Sequence, residues 1–256
     1  MSELNEMFWN ASVEQLKQGY IYDEKKEEYT CLVCGERFVK GIIYSEADVM
    51  YEASKFAEVH VALEHESMFH YLTGLDKKLT GLTELQNDLV QLFYQGRSDQ
   101  EIVKELQGGS TSTIRNHRFS LREKMKQARI FLAIMEMAEA KGGAERPRFV
   151  NPPKTAKKLD ERYAITEEEH AGIIAKYFPE GPEGELIEFP RKEKRKISIL
   201  THLMNRFDVR EKYTEREVNA ILKTANDDFV TLRRYLIEYG FLDRLEDGSQ
   251  YWVKTK

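Results

Sequence analysis

The stretch Leu82–Met125, LTELQNDLVQLFYQGRSDQEIVKELQGGSTSTIRNHRFSLREKM, decides how the chain is read. Leu85, Leu89 and Leu92 fall on one face of a first helix that stops at Gly96. Ser98 caps a second helix, whose Ile102, Val103 and Leu106 point inward. Gly108–Gly109 make the turn, and a third helix starts near Ser112. A short helix, a tight glycine turn and a helix with cations at its start is the order of a helix-turn-helix.

The third helix carries the chemistry. A recognition helix enters the major groove by its N-terminal end, so its first exposed side chains must match base edges. Arg115 can bond guanine bidentately, and Asn116 can do the same for adenine. Arg118, Arg122, Lys124 and Lys126, about one turn further on, suit phosphates, which position a protein without specifying sequence. Ser110, Thr111, Ser112 and Thr113 can cap the helix and donate to phosphate. The segment resembles the LuxR-type helix-turn-helix of bacterial regulators over about 45 residues, through Leu82-Thr83, Leu92, Gly96, Ser98, Glu101-Ile102, Leu106, Thr113-Ile114-Arg115, His117 and Lys124. By position, Arg115, Asn116 and Phe119 fall where that family touches DNA. Phe119 stands where the family often has a polar residue, and a thymine methyl suits it. Val103 replaces a usual alanine.

The same helix continues through QARIFLAIMEMAEA to about Ala140. Phe131, Leu132, Met135 and Ala138 form an apolar stripe with Ile130, Ile134 and Met137 beside it. This stripe suits either packing against the N-terminal region or the seam of a homodimer, since one such motif reads half a site.

The 256 residues carry a formal net charge of -5, and charged residues make up 32%. Two or three small domains are expected. No apolar run approaches the ~18 residues of a membrane span, and no basic-then-apolar leader opens the chain. A cytoplasmic protein without membrane contact is expected. Helix-start signals, a hydroxyl followed three residues later by Glu or Gln, occur at Ser12/Gln15, Thr83/Gln86, Ser98/Glu101, Thr166/Glu169 and Thr214/Glu217. Strand signals are sparse, with hairpins expected near Tyr29–Tyr44 and Leu242–Val253. The expected fold is mainly α, with a zinc-stabilised N-terminal region at 1–78 and the helix-turn-helix with its long last helix at 79–140. A Gly- and Pro-rich linker follows at 141–165, containing KGGAERPRFVNPPKTAKK, and a C-terminal domain occupies 166–256.

Cys31 and Cys34 are the two cysteines, in YTCLVCGERF. In a reducing compartment so close a pair points to a metal or redox site rather than a disulfide. HVALEH supplies His60 and His65, completing C-x2-C-x25-H-x4-H. Two cysteines and two histidines satisfy tetrahedral zinc. Residues five apart lie roughly 140° out of line on a helix, so the helix must loosen near His65. His65 and His70 offer the same spacing. YTCLVCG and an EH pair ahead of a LuxR-like motif resemble a group of Bacillus-type proteins, and that resemblance favours His60 and His65. With all four ligands used, the zinc would be structural. A zinc hydrolase would need an open metal position and a general base, and H-E-x-x-H does not occur, so no enzyme is expected.

From Pro190 onward 15 cations exceed 11 anions, opposite in sign to the whole chain. Helical periods place Ile199, Leu200, Leu203 and Phe207 inward, then Val218, Ile221 and Leu222. Asp227 or Asp228 caps a helix carrying Leu232, Tyr235, Leu236 and Tyr239, and a hairpin follows around Asp247-Gly248. Three helices and a short β-hairpin is winged-helix order. FPRKEKRK, YTEREVNAIL, DDFVTLRRYLIEYGFLDR and DGSQYW resemble a bacterial domain of unknown function often attached to transcription regulators. On a winged-helix-like domain Thr231, Arg233 and Arg234 would be available to DNA, unless the arginines bridge to Glu217, Asp227 or Asp228. The function these readings imply is a sequence-specific transcriptional regulator of duplex DNA. A different class is a protein-interaction adaptor that docks transcription machinery or another regulator.

Overall fold

The computed structural model describes residues 3–141, 148–151, 153–155 and 161–254. The chain is mainly helical and divides into two compact units, one from Met1–Asp76 with Arg148–Lys256 and one from Lys77–Pro147.

The first unit begins with α1 (Glu3–Asn10) and α2 (Val13–Gln18). Strands β1 (Tyr20–Asp23), β2 (Glu28–Cys31) and β3 (Arg37–Val39) form an antiparallel sheet in that order. A separate hairpin of β4 (Ile43–Glu46) and β5 (Val49–Glu52) leads into α3 (Ala53–His65) and α4 (Met68–Thr73). The hairpin expected near Tyr29–Tyr44 forms between β2 and β3, with Tyr29 opposite Phe38, and the β1–β2 and β4–β5 pairings come in addition to it. The chain pairs Tyr22 with Tyr29 across β1 and β2, with Asp23 accepting from the Lys25 and Lys26 amides in the turn. The β4–β5 turn is closed by Ala47 and Asp48, both at positive φ. Neither is glycine, so no glycine marks that turn in the sequence.

In the second unit α5 (Lys77–Thr80) precedes α6 (Glu84–Tyr94), α7 (Asp99–Glu105) and α8 (Thr111–Lys141). Leu89, Leu92, Ile102 and Ile114 form its small core, with Val103 and Leu106 packed against it. Leu85, expected on the inward face, is 46% exposed because the first turn of α6 extends past that core. Helix α8 has 31 residues, of which Ile114 is the buried one.

The first unit resumes at residue 148. The described part of the expected linker packs into it: Val150 and Ile165 are buried, and the Val150 amide donates to the Ile165 carbonyl. Residues 142–147, 152 and 156–160 of that expected linker lie outside the described residues. Helix α9 (Glu167–Tyr177) then precedes α10 (Glu193–Leu203), β6 (Lys212–Tyr213), α11 (Glu215–Lys223), α12 (Phe229–Glu238), β7 (Leu242–Arg244) and β8 (Tyr251–Val253). The sheet order is β6-β8-β7, with the expected second hairpin at β7–β8. Leu200, Leu203, Val218, Leu222, Leu236 and Tyr251 are fully buried between these helices and the sheet.

Each of the five capping boxes forms, at Ser12, Thr83, Ser98, Thr166 and Thr214. Each satisfies two backbone donors that a helix start leaves open. Asp228 caps α12 by accepting from the Thr231 amide. Among the described residues no helix is long and apolar enough to cross a membrane.

Candidate metal centre and candidate nucleic-acid face

Cys31 ends β2 and Cys34 follows in a tight knuckle. The Cys31 amide donates to the Glu36 carbonyl at 2.8 Å, and the Gly35 amide returns to the Cys31 carbonyl at 3.0 Å. The Val33 amide turns inward to the Cys31 Sγ, 3.4 Å away. Gly35 sits at φ +81°, and a Cβ there would lie 3.1 Å from Val209 Cγ2, so both conformation and close packing call for glycine. Helix α3 packs across β2 and β3 and carries His60 and His65 to the knuckle.

The ligand atoms of Cys31, Cys34, His60 and His65 lie within 4.8 Å of one another. Zn–S bonds of about 2.3 Å and Zn–N bonds of about 2.0 Å set tetrahedral ligands roughly 3.3–3.8 Å apart, so a small inward movement closes such a site. Both ring nitrogens of His65 are buried without a hydrogen-bond partner. A buried polar atom left in that state calls for a partner, and a metal supplies one. The cysteines are free thiols, with Cys31 fully buried. They titrate as a pair. The hydrogen bond from Cys34, aided by His60, holds the Cys31 thiol far below its usual range. The same bond, with burial, pushes Cys34 upward. These four residues fit a metal ion, and together they leave no protein-free position in a tetrahedron.

Of the two histidine pairs considered, the structure brings His60 and His65 to the cysteines. His70 instead bonds Ser67 through Nδ1 at 3.0 Å. The loosening expected near His65 takes a definite form. Helix α3 ends there, and Glu66 sits at φ +57°, ψ -58°, with the Ser67 amide bonded back to the His65 carbonyl. That is a γ-turn of the strained, positive-φ hand, at a non-glycine residue.

Two features of this region carry no sequence signal. Glu66 is one, a glutamate where the backbone favours glycine. Lys154 is the other: it is 5% exposed, and its ammonium donates to the carbonyls of Leu32 at 2.8 Å and Val33 at 3.4 Å. It also lies over the rings of Phe8 and Tyr71. Burial pulls it down to about 8, while the charges of Cys31 and Cys34 oppose that shift. In the sequence Lys154 is one of three lysines in PPKTAKK, and the spacing does not distinguish it.

At the start of α8, Ser110 accepts from the Thr113 amide and bonds its hydroxyl, as a cap. Ile114 points into the core, while Ser112, Arg115, Asn116, Phe119 and Arg122 are exposed on one face. Thr111 is half-buried. Arg115 is 72% exposed, with Asp99 3.5 Å away. Arg118 and Lys124, expected to contact phosphate, carry bonds within the unit. Arg118 pairs with Asp99 at 2.9 Å and stacks on Phe93 at 3.8 Å. Lys124 donates to the Gly81 carbonyl and the Gln86 side chain. Both therefore already serve the helix packing.

In the C-terminal part, Arg233 is 15% exposed and bonds Glu215 and Asn219. It is engaged inside the fold, with Glu215 rather than Glu217, Asp227 or Asp228. Arg234 is exposed beside the Tyr235 ring. A family model described as an uncharacterized protein conserved in bacteria (DUF2087) matches residues 185–253, which spans α10 to β8. No curated protein and no solved structure matches the chain.

Proposed function

We propose that the protein is a sequence-specific, duplex-DNA-binding transcriptional regulator of the cytoplasm. Lys77–Pro147 serves as a LuxR-type helix-turn-helix, and α10 to β8 as a winged-helix-like domain. The observation that carries this reading is the face of Ser112, Arg115, Asn116, Phe119 and Arg122 at the N-terminal end of α8, exposed while Ile114 anchors the helix. Base-reading needs donors at a helix start that stay open to solvent, and Arg115 is 72% exposed although Asp99 lies 3.5 Å from its Nε. Zinc at Cys31, Cys34, His60 and His65 is structural in this reading, and Arg234 is the better placed of the C-terminal arginines for a phosphate. A second copy is expected along α8, whose Ile130, Phe131, Ile134 and Met137 are all more than half exposed.

That same apolar segment favours a second reading, an adaptor that docks transcription machinery. Selection of full-length protein on a randomised duplex library at about 150 mM salt separates the two, because phosphate contacts alone weaken as salt rises. One enriched motif, lost in Arg115→Ala, supports the regulator. No enriched motif moves the assignment to the adaptor.

A further inference from the structure

The knuckle that gathers Cys31 and Cys34 has an outer side. Its Val33 amide turns toward sulfur, and the carbonyls of Leu32 and Val33 turn the other way. Leu32 and Val33 are 0% exposed, so water does not reach these acceptors. A buried carbonyl needs a donor, and Lys154 provides it from 122 positions further along the chain. Among the described residues no carboxylate pairs with this ammonium; two carbonyls and two aromatic rings receive it.

Lys154 also belongs to a short strap tied to both ends of the first unit. Its amide donates to Asn5 Oδ1 at 3.2 Å, and Asn5 Nδ2 donates to the Asn151 carbonyl at 3.3 Å. The neighbouring Thr155 hydroxyl donates to the carbonyls of Gly240 and Lys254, at the α12–β7 corner and the end of β8. The strap thus joins the metal-centre region to the C-terminal sheet through the side chains of Asn5, Lys154 and Thr155.

We propose that Lys154 is a metal-dependent latch: loading of the Cys31–Cys34–His60–His65 site orders the carbonyls that hold Lys154, and so fastens Asn151, Lys154, Thr155 and the α12–β7 corner onto the N-terminal region. When the knuckle loosens, the ammonium loses its acceptors and a buried, unsatisfied cation is expelled. The inference rests on the zinc reading of the four ligands.

Hydrogen–deuterium exchange of the full chain tests it, zinc-loaded and after chelation, with zinc counted by elemental analysis. Chelation is expected to speed exchange in Leu32–Gly35 and also in residues 149–155 and 240–241. The strap should exchange at least about tenfold faster, the effect of losing one hydrogen bond to a charged group. In Lys154→Met the zinc stays bound and the knuckle stays protected, while the strap exchanges as fast loaded as unloaded. Asn5→Ala gives a second variant with a smaller change in the same segment. A strap that stays protected after chelation, while the knuckle opens, overturns the latch and leaves the zinc reading intact. A chain that binds no zinc and does not respond to chelation overturns both.

Discussion

The Sγ of Cys34 lies 3.1 Å from Nε2 of His60, although 26 positions separate them in the chain. The contact exists because α3 crosses the sheet at the strand end where the knuckle begins. His65, five residues on and the last residue of α3, has its ring centroid 5.1 Å from that of His60.

Zinc content follows from this arrangement. Cys34→Ser and His65→Ala are each expected to lose an ion that the native chain holds at one per molecule, and His70→Ala to keep it. Structural zinc can contribute on the order of 10 kcal/mol in small domains, so each loss should lower the melting temperature visibly. Equal zinc content in all four proteins would remove the site.

The arginines of α8 should divide by their surroundings. Arg115→Ala is expected to cost about 1–3 kcal/mol of specific DNA affinity and relax one base position, with little effect on stability. Arg118→Ala breaks the Asp99 pair and the Phe93 stacking, so it should lower the melting temperature of the Lys77–Pro147 unit. Parallel binding and thermal-melting measurements on the two variants check the division. It fails if both behave alike.

Acid sensitivity has a definite window. His170 Nδ1 bonds the fully buried Ser198 hydroxyl at 2.7 Å, and burial lowers its imidazole to about 4. The unfolded chain, with His near 6.5, takes the proton first. The stability from this group is therefore complete above about 6.5 and is lost as pH falls toward 4. Urea midpoints between these pH values should decline in the native chain and decline less in His170→Gln.

Glu66 pays for its backbone with strain. Glu66→Gly should relieve a cost of about 1–3 kcal/mol, less about 0.5–1 for the glycine's greater unfolded freedom. The expected net gain is about 1 kcal/mol, with zinc binding retained. A destabilised Glu66→Gly would mean that the carboxylate side chain, rather than the turn, matters there.

The exposed apolar turn of α8 gives a prediction of assembly. Phe131→Glu with Met135→Glu should convert a dimer to monomer in sedimentation experiments without unfolding the chain, because both positions are at least 40% exposed in the single copy. A native chain that sediments as a monomer at all concentrations refutes the dimer seam.

Helix starts were readable because capping is local: hydroxyl and carboxamide or carboxylate three residues apart meet whatever the rest of the chain does. The same holds for the inward faces of α6, α7, α11 and α12, where periodicity meets a core. Leu85 escaped because periodicity says which face a residue shares, not where the neighbouring helices end. The turn at Ala47-Asp48 escaped because two ordinary residues take a conformation usually left to glycine or asparagine.

The residue types and spacing of Cys31, Cys34, His60 and His65 are enough to name a metal-binding set, since ligand chemistry and a short knuckle are written in order along the chain. Which histidines join it, that Arg118 and Arg233 bond internal carboxylates, and that Lys154 is buried depended on folding. Those outcomes turn on distances between segments far apart in sequence, and both burial cost and ion pairing change steeply over a few ångströms.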